Sequence, residues 1–146
     1  MMTPARALSL TQPWATLVAA GVKRVETRSW RTPYRGVIGI HAAKAFPRWA
    51  RELCLEEPFR TALLIRGLAA ADLPRGELIG VARLVDCVPT TGVELVGIDD
   101  VERAFGDYSP GRWGWLLSDA AAITPSRPCR GSLGLWDLAA GLDAAA

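Results

Sequence analysis

The sequence has few of the residues on which metal sites and disulfide frameworks depend. It contains one histidine, His41, and three cysteines at positions 54, 87 and 129. The cysteines are odd in number, far apart and never arranged as a C-x-x-C pair, which argues against both a disulfide framework and a zinc cluster. We therefore expect reduced thiols, no bound metal and no cofactor.

Long apolar segments are also missing. No run approaches the roughly 18 residues of a membrane helix, and the opening stretch MMTPARALSL lacks the apolar core and cleavage site of a secretory signal. We therefore expect a cytoplasmic protein without a membrane partner. A length of 146 residues suits a single domain over 1–146, and we expect it to be a monomer.

The charge is small in total but uneven along the chain. The net charge is +2, yet residues 1–60 carry ten basic and four acidic side chains, whereas residues 61–146 carry seven and eleven. The two parts therefore stand at +6 and −4. If the fold keeps them apart, the basic part favours an anionic partner such as a nucleic acid. The alternative is a solvated basic surface without a specific role.

Alternation of apolar and polar residues predicts several strands with helices inserted between them. LTQPWATLVAAG predicts a helix, with Pro13 suited to its first position and Gly21 to its end. Residues 46–71 are helix-like but are broken by Pro47 and Pro58. The residues 139–146 read as a frayed tail. The strand candidates are ARALSL, VETRSW, VIGIHAA, GELIGVARLVDCV, GRWGWLLSDAAAIT and GSLGLWDL.

Three Arg-Gly pairs stand just before glycine-containing strands, in RGVIGI, RGELIGV and RGSLGL. Glycine within a strand marks a close backbone approach or a sharp bend, as at the corner of a small barrel. Short strands of this kind, with an N-terminal helix and short inserted helices, predict an α+β fold built on a small curved β-barrel. An open α+β sheet is the alternative.

The stretch GVKRVETRSW sets one acid, Glu26, among Lys23, Arg24 and Arg28. Alternation directs Glu26, Arg28 and Trp30 to one face of a strand, with Thr27 on the other. Lys23 and Glu26 are close enough in sequence to act as a general base and its orienting partner, which is one hypothesis. The other is an ion-pair lattice on the surface, which has little energetic weight.

The same region supplies the groups of a nucleotide-binding pocket. Glu26 is suited to accept hydrogen bonds from a base amino group or a ribose hydroxyl. His41, on an apolar strand, is either a core residue or part of the cleft. Candidates for phosphate contacts are Lys23, Arg28, Arg35 and Lys44. Candidates for base stacking are Trp14, Trp30 and Tyr34.

The segment SLTQPWATLVAAGVKRVETRSWRTPYRGVIGIHAAK resembles the opening of ASCH-family domains, which are relatives of the PUA-like fold. The resemblance lies in the Q-P-W-A helix entry, the G-x-K-x-x-E-x-R turn, the Y-R-G strand entry and I-H-A-A-K. GRWGWLLSD and RGSLGLWDL also resemble the closing strands of the family, whereas 46–74 and 90–108 carry no resemblance. It implies a PUA-like barrel with a cleft beside the N-terminal helix and a role in binding RNA or another nucleic acid.

Some members of that family are enzymes, among them a bacterial amidohydrolase of acetylated cytidine and a ribonuclease. In the amidohydrolase type a threonine stands three residues after the lysine, where this chain has Glu26, with Thr27 one place further on. That departure puts this chemistry in doubt.

The primary hypothesis is binding of RNA or single-stranded nucleic acid through a basic, aromatic-lined cleft. The alternative is a hydrolase acting on RNA or on a modified nucleoside or nucleotide, with Lys23 as the base and Glu26 as its partner. A protein-binding adaptor is a third, weaker hypothesis.

Overall fold

The structure, a computed structural model, describes residues 4–146. Six strands form one mixed sheet in the order β2-β5-β4-β3-β1-β6. Strands β1 and β3 are parallel, and the other neighbours are antiparallel. The strands are β1 (Arg6–Leu10), β2 (Val25–Arg28), β3 (Gly36–Ala42), β4 (Glu77–Pro89), β5 (Trp113–Pro128) and β6 (Leu135–Asp137).

The sheet curls into a half-barrel, which confirms the predicted α+β class and the small PUA-like barrel. The long strands β4 and β5 pair with three shifts of register, and β3 and β4 pair with one, between Ile40 and His41. Irregularities of this kind bend a strand and increase its twist. They allow strands of 13 and 16 residues to wrap around the core instead of lying flat.

The helices are short, and none in the described part of the chain is long and apolar enough to cross a membrane. Pro47 and Pro58 directly precede α2 and α3, as their predicted role as breaks requires. Asp99 caps α4 by accepting a hydrogen bond from the backbone N–H of Glu102 at 2.8 Å. The helices are α1 (Trp14–Ala19), α2 (Arg48–Leu53), α3 (Phe59–Leu64), α4 (Asp100–Ala104) and α5 (Leu138–Ala144).

The closing residues, which we expected to fray, form helix α5. Asp137 caps this helix because its carboxylate accepts hydrogen bonds from the N–H groups of Ala139 and Ala140. Leu138 is fully buried beside Trp136 in a small apolar cluster. The composition of AAGLDAAA carried no sign of this packing, which depends on strands far away in the sequence.

Helix α1 lies directly on the sheet, where it packs against β3 and β4. Ala15, Val18 and Ala19 join the main apolar core there. The approach is close at Gly80, since a Cβ atom added to that glycine would lie 2.8 Å from the Cβ of Ala19. This glycine therefore fixes how deeply the helix sits on the barrel.

A second apolar cluster holds α2 and α3 beside α1. Leu17, on the outer side of α1, contributes to this cluster and is fully buried. Phe59 of α3 packs against Phe105, which follows α4, with ring centroids 5.3 Å apart. The cluster thereby brings α2, α3 and the segment after α4 to the end of the barrel where β2 lies.

Gly80→Ala is expected to lower the free energy of unfolding by about 1–3 kcal/mol, because the new methyl group overpacks the contact between α1 and β4. Urea denaturation of both proteins measures this difference. Gly97→Ala is the matched control, since a Cβ atom at Gly97 meets no atom within 4 Å. Equal stability of the two variants would contradict the proposed close approach of α1.

Candidate nucleic-acid interface

An open cleft of about 500 Å³ lies between the helices and the edge strand β2. We call it the Trp49 cleft. Helices α1, α2 and α3 form one wall, and β2 with the segment after α4 forms the other. Its lining residues are Leu10, Thr11, Trp14, Glu26, Thr27, Arg28, Trp49, Leu53, Phe59, Ala104, Phe105, Gly106, Asp107 and Arg112.

Glu26 lies between two cations at the floor of this cleft. One carboxylate oxygen is 3.2 Å from Lys23 Nζ, and the other is 3.1 Å from Arg28 Nη1. Lys23 is only 1% exposed, and it also donates a hydrogen bond to the carbonyl of Val25. The lone acid of the basic segment is therefore the counter-ion of a buried lysine.

The turn that carries Lys23 is fixed on both sides. Gly21, with φ of +75°, adopts the left-handed conformation that ends α1. The Leu17 carbonyl then accepts hydrogen bonds from the N–H groups of Val22 and Lys23. On the other side, the buried Glu102 of α4 accepts a hydrogen bond from the backbone N–H of Arg24 at 2.7 Å. Lys23 itself is not among the residues that line the cleft.

The segment after α4 is hydrogen-bonded to β2, whose other side pairs with β5. Arg112 Nη2 donates to the Thr27 carbonyl at 3.2 Å, and the Asp107 N–H donates to Thr27 Oγ1 at 3.0 Å. Arg112 also pairs with the Asp107 carboxylate at 3.5 Å. Hydrogen bonds from Ser109 lower the pKa of Asp107.

Two tryptophans form the upper part of the cleft. Trp14 is held in place because its Nε1–H donates to the Phe105 carbonyl at 2.6 Å, and its ring meets Phe59 edge-on. Trp49 lies 5.9 Å from Trp14 between ring centroids and is 58% exposed. The exposed aromatic surface at this site therefore belongs mainly to Trp49, while Trp14 supports it from below.

Sequence reasoning did not include Trp49 among the binding residues, and it left open whether Arg112 joins the basic rim or only flanks a turn. Trp49 lies in the least readable part of the chain, although a tryptophan between Arg48 and Arg51 on a short helix is a usable signal of an exposed aromatic. Arg112 directly precedes β5, and the apolar pattern of that strand is the dominant signal in this part of the sequence. Its contact with Thr27 joins residues 85 positions apart.

Three predicted residues lie away from the Trp49 cleft. Trp30 meets Trp115 edge-on at 4.8 Å and packs against the main core. Tyr34 also packs against that core, and its hydroxyl donates to the Val37 carbonyl. Arg35 forms an ion pair with Asp86 at 3.3 Å. Tyr34 and Arg35 directly precede β3, and Trp30 lies in the connection between β2 and β3, so the structure does not bring all the candidates together in one cleft.

His41 and Lys44 line a different pocket. His41 is buried, and its ring makes two hydrogen bonds: Nε2 with the Cys129 carbonyl at 2.8 Å, and Nδ1 with the Ser9 hydroxyl at 2.9 Å. A carbonyl only accepts, so Nε2 carries the proton and Nδ1 accepts from Ser9. Trp136 Nε1–H in turn donates to Ser9 Oγ. His41 is thus a neutral histidine with both ring nitrogens satisfied.

A family model of the ASCH domain matches residues 8–123. The chain belongs to the ASCH domain family. Activating signal cointegrator 1 of Homo sapiens and that of Mus musculus are each 42% identical to this ASCH domain over 84 residues. The alignment covers 56% of this chain but 14% of each relative, so the chain corresponds to a small part of either protein. The range 8–123 that the family model matches contains every residue that lines the Trp49 cleft.

Lys23→Met is expected to lower the free energy of unfolding of this ASCH domain by about 3 kcal/mol, since it leaves Glu26 buried with one cation fewer. Arg48→Met is the control, because it breaks an exposed ion pair with Glu52 and is expected to cost less than about 1 kcal/mol. Urea denaturation compares the two. Equal, small losses would mean that the Lys23 pair is solvated.

Burial lowers the pKa of His41 below its ordinary value of 6.5. The folded state then prefers the neutral ring, so the unfolded state binds more protons below pH 6.5. The contribution of His41 to the free energy of unfolding is expected to be constant above about pH 6.5. It should fall as the pH drops from there towards the pKa of His41 in the folded protein. Because the chain has one histidine, its imidazole NMR signal reports this pKa directly.

Urea denaturation at pH 7.5 and pH 5.5 tests the same linkage. The loss of stability between these two pH values should be smaller in His41→Gln than in the wild-type protein. An imidazole that titrates at or above pH 6.5 would contradict the assignment.

Proposed function

We propose that this ASCH domain binds RNA or another single-stranded nucleic acid at the Trp49 cleft, acting as a single domain and as a monomer. The observation that carries the proposal is the exposed Trp49 ring above a floor that holds Arg28 and Arg112. An unpaired base stacks on such a ring, whereas the bases of a duplex are already stacked on each other. The ASCH family membership supports nucleic acid as the partner in general terms.

The two arginines are suited to guide the strand rather than to bind it strongly. Arg28 is paired with Glu26, and Arg112 is paired with Asp107. Each guanidinium has five N–H donors, so donors remain for a phosphate after the pairing. Because two carboxylates accompany the two arginines, the local field is weak. Stacking on Trp49 should therefore supply most of the affinity.

The carboxylates have a separate part in this proposal. Glu26 and Asp107 line the cleft, and each carboxylate oxygen can accept more than one hydrogen bond. A phosphate is repelled by these acids, whereas the amino group of a base is attracted to them. The strand would therefore lie with its base directed into the cleft and its backbone along the rim.

The hydrolase alternative has less support. Lys23 Nζ is buried and already contacts Glu26 and the Val25 carbonyl. A general base must reach the proton that it abstracts, and Lys23 does not line the cleft. Its contacts suit a structural ion pair better than a catalytic base.

Trp49→Ala is expected to weaken binding of a labelled single-stranded RNA about 10-fold to 100-fold, which corresponds to the loss of one stacked base. Fluorescence anisotropy across a salt series measures the affinity. Ile65→Ala is the matched control, because Ile65 is also an exposed apolar residue, 75% accessible, but lies outside the cleft. The Ile65→Ala variant should bind the RNA with the same affinity as the wild-type protein.

Two results would overturn this proposal. The first is the absence of binding by the wild-type protein at low salt. The second is equal affinity of Trp49→Ala and wild type, which would move the binding surface away from the cleft. A weak salt dependence that persists in both variants is expected, since the arginines of the cleft are paired with acids.

A further inference from the structure

A second pocket, of about 730 Å³, opens where β1 and β3 end. We call it the His41 pocket. The segments around Lys44, Gly76 and Cys129 are hydrogen-bonded side by side, since Gly76 N–H donates to the Ala42 carbonyl and Cys129 N–H to the Gly76 carbonyl. Its lining residues are Ser9, His41, Ala43, Lys44, Gly76, Pro128, Cys129, Arg130, Gly131, Ser132, Leu133 and Ala145.

Two of the three Arg-Gly pairs that precede glycine-containing strands adjoin this pocket, at Gly76 and Gly131. A Cβ atom at Gly131 would lie 2.6 Å from both His41 Cε1 and Ser9 Oγ, so the backbone there rests directly on the His41 ring. A Cβ atom at Gly76 would lie 3.9 Å from the Lys44 side chain. Arg130 thus lines the cavity and Arg75 directly precedes the lining residue Gly76, whereas the third pair, at Arg35, stands at the opposite end of β3.

The electrostatics of the His41 pocket differ from those of the Trp49 cleft. Lys44 and Arg130 are exposed, and neither forms an ion pair with any residue in the described range 4–146. Arg75 adjoins the lining residue Gly76 and is also outside the ion pairs of that range. Among the residues that the structure describes, no aspartate or glutamate lines this pocket. Uncompensated positive charge in a concave site attracts anions.

The pocket also offers hydrogen-bond donors. The backbone N–H groups of Gly131 and Ser132 meet no acceptor within residues 4–146, and the Ser132 side chain is exposed. The groups beneath are already committed, since Ser9 donates to His41 and His41 donates to the Cys129 carbonyl. The arrangement is a rigid floor below a rim of cationic and N–H donors, which suits a group with several acceptor oxygens.

We propose that the His41 pocket binds the phosphate monoester of a nucleotide-sized ligand, with Lys44, Arg130 and Arg75 around the phosphate. A phosphate monoester dianion carries two negative charges, whereas a carboxylate carries one. The dianion therefore balances a group of two or three cations better. The volume exceeds that of a phosphate alone and lies within the range of small-molecule sites, so there is room for the remainder of the ligand. This site does not depend on nucleic-acid binding at the Trp49 cleft.

NMR titration with adenosine 5′-monophosphate, at constant ionic strength, tests the proposal. The amide signals of Gly76, Gly131 and Ser132 should shift and saturate, with inorganic phosphate binding more weakly at the same amides and adenosine leaving them unchanged. The double variant Lys44→Gln/Arg130→Gln should bind at least tenfold more weakly. Urea denaturation establishes that this variant is folded, which is expected because both side chains are exposed.

Arg35→Gln is the matched control, since it removes one positive charge from an Arg-Gly pair at the other end of the seven-residue strand β3, roughly 20 Å away. It should bind as the wild type does. The single variant Arg130→Gln removes one positive charge, as the control does, and should bind more weakly than the control. Equal weakening by these two single variants would reduce the effect to net charge and overturn the site. No saturable shift, or equal competition by an RNA without terminal phosphates, would also overturn it.

Discussion

The buried pair of Lys23 and Glu26 is the interaction on which one end of this molecule depends. A lysine ammonium is costly to bury without a counter-charge, and the Glu26 carboxylate, 3.2 Å from Lys23 Nζ, supplies that charge. The pair forms only if β2, which carries Glu26, stays at the edge of the sheet and if the turn after α1 directs the Lys23 side chain towards it. Glu102 of α4 supports the same turn through the backbone of Arg24. The floor of the Trp49 cleft is thus a consequence of satisfying one buried charge.

Folding offsets part of the uneven charge of the sequence. Basic residues of the first 60 positions pair with acids from the second part, as Arg24 does with Asp99 and Arg35 with Asp86. The separation of charge expected from the sequence is therefore partly cancelled near β2 and at the beginning of β3. Within residues 4–146, Lys44 and Arg130 at the His41 pocket have no acidic partner. A count of charges along the chain could not reveal this, because pairing depends on which strands become neighbours.

The strands and α1 were predictable because their apolar residues follow regular periods, and the two prolines, Pro47 and Pro58, were predictable as local breaks between helices. Local patterns failed where long-range contacts decide the structure. Helix α5 forms because Leu138 is buried against distant strands. Trp49 lies against Trp14, whose ring meets Phe59 and whose Nε1–H donates to the Phe105 carbonyl. Ser9, His41 and Cys129 meet through hydrogen bonds across the sheet, and no spacing in the sequence joins them. Alternation predicted that Glu26 and Arg28 share a face but gave no measure of how deeply Lys23 is buried.

The pairing of β6 with β1 sets the smallest fragment that can fold as described. The family match ends at residue 123, within β5, whereas β6 and α5 follow it and the Leu138 N–H donates to the Ala5 carbonyl. A fragment cut at residue 123 would lose the carbonyl that holds His41 and would leave β1 as an uncovered strand edge, open to pairing with another molecule. A fragment that retains these last elements keeps its edge covered and its only histidine in place.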